Sequence, residues 1–217
     1  MKIALIGATG FVGSHILKEA LSRGHEITAV VRKPGEVGTF NEQLHIVQGD
    51  VFNTKELSDI FKGHDIVISA YNVKNTDNDY HQRFLSGSES IQEAAKLAGV
   101  KRLIVSGGAG SLEIKPGLQL VDSSEFPEEY KPIARAARDY FTELEKEQEL
   151  DWTFVSPAIE MHPGIKTGRT GKYRTGYNQP VFDEHRRSRI SPEDLAVAII
   201  DEVENHQFPR KRFTIAY

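Results

Sequence analysis

The sequence contains no cysteine among its 217 residues. This absence excludes disulfide frameworks, iron–sulfur clusters, cysteine-ligated zinc sites and a thiol nucleophile. Long apolar runs are also missing, since none approaches the roughly 20 residues that cross a bilayer, and no H-E-x-x-H or comparable metal-ligand spacing occurs. The formal net charge is only −4, with charged residues of both signs making up 27% of the chain. We therefore predict no nucleic-acid partner, no membrane partner and no metal site.

The N-terminus begins with a short apolar run, residues 3–6, which Gly7 ends at once. The run is too short for a helix or for the apolar core of a signal peptide, so we predict a buried parallel strand. Because this start does not resemble a secretion signal, we expect a cytoplasmic protein. The chain is long enough to form one domain with a core of its own.

Short apolar runs then alternate with helical patterns along most of the chain. The further predicted strands are residues 27–31, 44–47, 65–69, 102–105, 152–155 and 212–216. The predicted helices are residues 12–23, 54–61 with Thr54 as N-cap, 78–98, 132–150, and one that Ser191 caps and that runs to about residue 205. This alternation predicts the α/β class, a doubly wound parallel-sheet Rossmann fold in a single domain, residues 1–217. Residues 156–190 are rich in Gly, Pro, Arg and Tyr without a clear period, which predicts a small substrate-shaping loop or lobe.

The motif with the clearest chemistry is G-x-x-G-x-x-G at residues 7–13, between the first strand and the first helix. Gly7 lets the chain turn sharply, Gly10 removes a side chain where the backbone must approach a pyrophosphate, and Gly13 lets the helix pack close to the strand. The diphosphate then binds at the free N–H groups of the helix N-terminus. The pattern predicts a dinucleotide site, and the alternative is a glycine-rich turn without a ligand.

The residues after the second strand indicate which dinucleotide binds. NAD-binding proteins carry Asp or Glu there, about 20 residues after the glycines, whereas this chain has Arg32 and Lys33. Two cations suit a 2′-phosphate, so NADP(H) is favoured over NAD(H), unless both are merely solvated side chains. After the third strand, Asp50 and Val51 are candidates for the adenine site, although Asp50 is equally typical of a turn.

Several segments resemble the atypical short-chain dehydrogenase/reductases: G-A-T-G at residues 7–10, V-V-R at 30–32, S-A-Y-N at 69–72, V-S-G-G-A-G at 105–110 and W-T-F-V-S-P-A at 152–158. R-T-G-K-Y-R at 169–174 and R-I-S-P-E-D-L-A-V-A-I at 189–199 look like the small bacterial proteins described as NADH-flavin reductases. These are grouped with NAD-dependent epimerase/dehydratase-like proteins, NmrA-like regulators and biliverdin-IXβ/flavin reductases. The resemblance covers nearly the whole chain and is more specific for fold and cofactor than for substrate.

The resemblance implies a set of positions around a bound NADP(H). It places Thr9, Phe11 and Val12 at the pyrophosphate, and Arg32 at the 2′-phosphate. Along the nicotinamide ribose it places Ser69, Ala70 and Tyr71. It further implies that Ser106 orients the substrate and that Pro157 lies against the carboxamide, with residues 158–164 as the roof of the pocket.

The chain departs from the family pattern in its proton-transfer groups. Classical members use Tyr-x-x-x-Lys, but here Tyr130 is followed by Ala134 and Tyr140 by Leu144. Biliverdin-type reductases have a histidine directly after the proline that Pro157 matches, and this chain has alanine there.

His162 is the nearest replacement for that histidine, and the alternative is a surface residue. With Ser106 and Tyr71 it completes the predicted catalytic set.

Hydride transfer to a flavin or quinone can dispense with a strong protein acid, because water supplies the proton. We therefore predict an NAD(P)H-dependent reductase with such an acceptor, bound near an aromatic pair, Tyr71 and Tyr173. Arg169, Lys172 and Arg174 either attract an acceptor phosphate or form a solvated loop. The alternatives are an NmrA-like NADP(H)-sensing regulator without catalysis and a sugar epimerase or dehydratase, and the protein is expected to be a monomer or a homodimer.

Overall fold

The computed structural model describes residues 1–73 and 79–217. In chain order the strands are β1 (Lys2–Ile6), β2 (Glu26–Val31), β3 (Leu44–Gln48), β4 (Ile66–Ser69), β5 (Arg102–Ser106), β6 (Glu113–Lys115), β7 (Leu118–Gln119), β8 (Asp151–Ser156), β9 (Arg174–Gly176) and β10 (Lys211–Ala216). The α-helices are α1 (Gly13–Ser22), α2 (Thr54–Phe61), α3 (Tyr80–Ala98), α4 (Lys131–Leu144) and α5 (Pro192–Asn205). None of the helices in these two segments is both long and apolar enough to cross a membrane.

The main sheet has eight strands in the order β3-β2-β1-β4-β5-β8-β10-β9, and β6 pairs with β7 in a separate hairpin. All neighbours in the main sheet are parallel except β9, which runs antiparallel to β10. The chain order reverses between β1 and β4, and ligands of doubly wound sheets bind at the carboxyl ends of the strands on either side of such a reversal. The predicted Rossmann fold is confirmed.

Two apolar clusters cover the two faces of the sheet. Helices α1 and α5 pack on one face, and α2, α3 and α4 pack on the other. The central strands β1, β4 and β5 are buried on both faces, which explains why their sequences are continuous apolar runs rather than alternating ones.

Two predicted helix ends are wrong. The N-cap of α2 is Asn53, whose side chain accepts the N–H of Glu56 at 3.3 Å, whereas the hydroxyl of Thr54 bonds to Ser90 at 2.8 Å. Helix α4 ends at Leu144 instead of residue 150. There the carboxylate of Glu147 accepts the N–H of Glu149 at 2.6 Å and that of Leu150 at 3.3 Å, which holds the chain in a turn before β8. The predicted start of α3 at residue 78 lies outside the described residues.

Candidate functional site

The turn between β1 and α1 is packed too tightly for side chains at two of its glycines. Gly7 has φ of 82°, and a Cβ there would lie 2.3 Å from the carbonyl oxygen of Ala70, at the end of β4. A Cβ on Gly13 would lie 2.0 Å from the carbonyl oxygen of Gly7. Since both obstacles are backbone atoms, the motif is needed at these two positions to bring β1, β4 and α1 together.

Gly10 is different, because a Cβ there would meet only the Gly7 oxygen, at 3.2 Å, and would otherwise point into open space. Helix α1 begins beside it without a side-chain cap and without an acidic residue in its first turn. Three successive backbone amides find no acceptor within residues 1–73 and 79–217, namely those of Phe11, Val12 and Gly13. Open amides at a helix N-terminus fit the diphosphate of a dinucleotide.

The rim of this cradle carries exposed side chains. Thr9 is exposed in the turn, and the ring of Phe11 is exposed and lies edge-on to His15, with ring centroids 6.2 Å apart. Both residues border the open side of Gly10, where the resemblance expects the pyrophosphate.

The basic pair lies directly after the buried end of β2. The ammonium of Lys33 lies 3.8 Å from the Glu36 carboxylate. Arg32 is exposed and makes no hydrogen bond or ion pair with any residue that the structure describes. Its guanidinium is therefore available to a phosphate at this edge of the crevice.

The chain turns directly after β3, as the alternative interpretation of Asp50 as a turn residue expects. Its carboxylate accepts the N–H of Phe52 at 3.0 Å, while Val51 packs against the α2–α4 cluster. The guanidinium of Arg83 lies over the ring of Phe52, 5.4 Å from its centroid. Sequence reasoning missed this pair because it joins residues 31 positions apart, and an adenine contact by Asp50 stays a prediction.

The end of β4 lies against the glycine turn. The N–H of Ala70 donates to Ile6 at 3.0 Å, and Ser69 is buried, with its hydroxyl 3.5 Å from the N–H of Tyr71. The Tyr71 ring stacks on Phe84 with centroids 5.9 Å apart, and its hydroxyl donates to the Arg83 carbonyl at 3.1 Å. The ring is thereby held against α3.

Ser106 is the last residue of β5 and is half-buried, and its hydroxyl makes no hydrogen bond with the described residues. The glycines that follow let the loop pack closely against the core. A Cβ on Gly107 would lie 2.0 Å from the Phe154 ring, and one on Gly110 would lie 2.7 Å from Ala134. The V-S-G-G-A-G motif therefore leaves the Ser106 hydroxyl at the carboxyl edge of the sheet, ready for a ligand.

Pro157 follows β8 directly and is buried, like Ala158 after it. His162 lies further along the loop and is exposed, and its Nδ1 accepts the N–H of Gly164 at 3.1 Å. The ring is thus turned onto its own loop, and no hydrogen bond or ring contact in the described chain joins it to Ser106. The structure places Pro157 directly at the carboxyl end of β8, and a catalytic role of His162 stays a prediction.

Of the two interpretations of the loop cations, the structure favours a loop bonded within the protein for two of the three. Arg169 donates from Nε and Nη2 to the Glu19 carboxylate of α1, at 2.8 and 2.9 Å. Arg174 donates to the carbonyl oxygens of Phe182 and Tyr217. Lys172 alone remains exposed without a side-chain partner among the described residues.

The same loop is anchored to the first turn of α5. The N–H groups of Thr170 and Gly171 donate to the fully buried carboxylate of Asp194, at 2.9 and 2.8 Å. The hydroxyl of Tyr173 donates to Asp201 of α5 at 2.5 Å, and its ring packs with the α1–α5 cluster. Tyr71 packs on the opposite face of the sheet, so the predicted aromatic pair is wrong.

We expect Arg169→Ala to lower the melting temperature by about 2–4 °C at neutral pH, since a partly exposed ion pair contributes at most about 1 kcal/mol. The hydrogen bonds from Arg169 are the main cause that lowers the pKa of the Glu19 carboxyl below 4.5. A carboxyl with a lowered folded-state pKa stabilises the protein above its unfolded pKa, and this stabilisation is lost as the pH falls through the folded value. Thermal unfolding at several pH values should therefore show the two proteins converging below about pH 4. Lys172→Ala is the control and should change nothing, and a difference independent of pH would contradict the anchor.

The chain matches the model of the NAD(P)H-binding family over residues 7–206. It belongs to the NAD(P)H-binding family. The match begins at the first glycine of the β1–α1 turn, so the cradle and the crevice beside it lie within the family region.

Relatives of this NAD(P)H-binding protein cover its whole length. A proposed epimerase of Bacteroides thetaiotaomicron is 45% identical and aligns with a TM-score of 0.90, over 100% of this chain and 96% of that one. A proposed NADH-flavin reductase of Streptococcus pneumoniae is 34% identical with a TM-score of 0.85, over 100% and 99% of the two chains. The Bacillus subtilis protein YwnB, described as uncharacterised, is 36% identical over 99% of this chain and 98% of its own. The predicted kinship with flavin reductase-like and epimerase-like proteins is confirmed.

Proposed function

We propose that this protein is an NADPH-dependent reductase that delivers hydride to a flavin- or quinone-like acceptor. The observation that carries the proposal is the open N-terminus of α1, with three amides lacking acceptors in the described chain, next to an Arg32 without a partner there. A diphosphate on the amides and a 2′-phosphate at the guanidinium would use both. The bound nicotinamide supplies the hydride.

The acceptor side favours a reaction that needs little help from a protein acid. Ser106 offers a hydroxyl at the crevice, while Tyr71 donates its hydroxyl to the Arg83 carbonyl and His162 is bonded to its own loop. In this arrangement the residues bind and orient the acceptor and exclude water, and the proton comes from solvent. A flavin or quinone tolerates this, whereas epimerisation of a sugar needs a positioned acid or base.

The proposal is tested by mixing the protein with NADPH or NADH and each of FMN, FAD, riboflavin and menadione, and following nicotinamide absorbance. Turnover well above the rate without protein supports the reductase. Tight NADPH binding without turnover on any acceptor would favour the NADP(H)-sensing alternative instead. A parallel assay with UDP-sugars checks the epimerase named among the relatives.

Ser106→Ala should reduce turnover about tenfold or more and leave NADPH affinity within about twofold, because a hydrogen bond to the acceptor is lost and the cofactor cradle is untouched. Steady-state kinetics and equilibrium NADPH binding measure the two effects separately. Ser22→Ala, at the far exposed end of α1, is the matched control. Unchanged turnover in the Ser106 variant would remove the role proposed for this hydroxyl.

A further inference from the structure

Three buried side-chain atoms in the described part of the chain have no hydrogen-bond partner: Ser156 Oγ, Thr214 Oγ1 and Arg189 Nε. Ser156 and Thr214 are fully buried. A buried hydroxyl without a partner lowers stability, because it has lost its bonds to water and gained none in return. Such atoms are uncommon in native proteins, and each requires an explanation.

The three residues lie at one edge of the sheet. Ser156 ends β8 and is the register partner of Thr214 in the parallel strand β10, so their side chains project from the same face about 5 Å apart. Arg189 lies just beyond the carboxyl ends of the same two strands, where its backbone forms a β-bridge with Glu160 and its carbonyl accepts the N–H of Tyr217 at 3.0 Å. Its Nε has no hydrogen bond but lies 3.8 Å from the Asp183 carboxylate, so its charge is paired. This edge adjoins the predicted nicotinamide contact, which follows Ser156 directly in the chain.

A buried cation lies on the same face. Arg212 precedes Thr214 by two residues, is 7% exposed, and lies over the Phe141 ring at 4.5 Å from the centroid. Its guanidinium donates to the oxygens of Ser111 and to the side-chain oxygen of Asn178. No carboxylate of the described residues lies within ion-pair distance of it, and the carboxylates of Glu113 and Glu145 act on its charge from further away.

The segment after β9 lies against Thr214. A Cβ on Gly176 would come within 2.8 Å of Val181 and 3.2 Å of the methyl group of Thr214, so this segment lies directly on the strand. The rings of Tyr177 and Phe182 within it are 63% and 46% exposed. This buried arrangement leaves the two hydroxyls unpaired among the described residues, and a ligand that reached and paired them would regain that stability.

We infer that Ser156 and Thr214 form the subsite that receives a carbonyl oxygen of the acceptor, on the face of the sheet that also carries the buried guanidinium of Arg212. The inference rests on the proposed reductase function. The acceptor gains a hydride from the reduced nicotinamide and a proton from water, and the nicotinamide is left oxidised. Negative charge develops on the acceptor's carbonyl oxygen as the hydride arrives, and two hydroxyl donors on the face that carries the Arg212 guanidinium stabilise it.

The test uses riboflavin, whose ring carries two carbonyl groups, and measures its binding to the NADP⁺ complex by fluorescence quenching. Ser156→Ala and Thr214→Val should each weaken riboflavin binding on the order of tenfold and leave NADP⁺ binding within about twofold. Their melting temperatures should stay the same or rise, since each variant removes an unpaired buried hydroxyl.

Thr153→Val is the matched control in β8. Its hydroxyl is equally buried but bonds to Glu202 at 3.1 Å and to the Phe208 carbonyl at 2.7 Å. We expect this variant to melt at a lower temperature and to bind riboflavin as the wild type does.

Two results would overturn the subsite: no riboflavin binding by the wild type, or equal binding by the wild type and both hydroxyl variants. Binding that the two variants weaken, in a wild type without turnover, would support the subsite and remove the reductase function.

Discussion

The Gly10→Ala variant should bind NADPH on the order of 100-fold more weakly and remain folded. The Gly13→Ala variant should instead be less stable than the wild type even in the absence of cofactor. The difference follows from what a Cβ would meet. At Gly10 the only near atom is the Gly7 oxygen at 3.2 Å, and the methyl group would otherwise project into the space where a diphosphate must approach the amides. The packing of the helix on the sheet changes little, whereas the diphosphate loses its close contact with the amides.

At Gly13 the added methyl group would lie 2.0 Å from the Gly7 oxygen, which belongs to backbone held between β1 and β4. Neither the helix nor the Gly7 backbone can move without losing contacts. We therefore expect the free energy of unfolding to fall by an amount near the upper end of the range for overpacking, about 3 kcal/mol. In a domain of this size that loss corresponds to roughly 10 °C in melting temperature.

Thermal unfolding and equilibrium NADPH binding, measured on both variants, separate the two effects. A Gly10 variant that binds NADPH normally would show that the diphosphate does not approach this backbone. A Gly13 variant as stable as the wild type would mean that α1 can move away from β1 at no cost.

Arg32→Asp should weaken NADPH binding about 100-fold and leave NADH binding nearly unchanged. A guanidinium–phosphate contact contributes up to about 3 kcal/mol, and the new carboxylate would repel the 2′-phosphate that only NADPH carries. The carboxylate instead suits the free 2′-hydroxyl of NADH, so the preference between the two cofactors should reverse.

Lys33→Asp is the neighbouring control, since Lys33 already has Glu36 at 3.8 Å and should matter less. The measurement is the dissociation constant of each cofactor at two salt concentrations, because the phosphate contact should weaken as salt rises. Equal losses for NADPH and NADH in the Arg32 variant would show that the guanidinium is not at the phosphate.

The cofactor half of the site is local in the sequence, and for that reason it could be predicted. The turn, the open amides and the start of α1 all lie within residues 7–13, and the basic pair follows the next strand. The geometric demands at Gly7 and Gly13 were inferred from spacing alone and agree with the distances in the structure.

The acceptor half depends on contacts between residues far apart in the chain. The charge of the cations in residues 169–174 is compatible both with an acceptor phosphate and with a solvated loop. In the structure Arg169 pairs with a carboxylate 150 positions away, and Thr170 bonds to one 24 positions away. The two motifs that carried the family resemblance, residues 169–174 and 189–199, are hydrogen-bonded to each other through Asp194. Charge predicts that a partner exists and does not say which one.

The sequence by itself determined the Rossmann order and the cofactor cradle, because hydrophobic period and glycine spacing act over short stretches of chain. Only the tertiary structure decided which polar groups of the last third stay free for a ligand, because that depends on which partners folding brings within hydrogen-bond distance. In the folded protein Arg169, Arg174 and Tyr173 bond to distant residues and His162 bonds to its own loop, while the hydroxyls of Ser156 and Thr214 lie side by side without partners in residues 1–73 and 79–217.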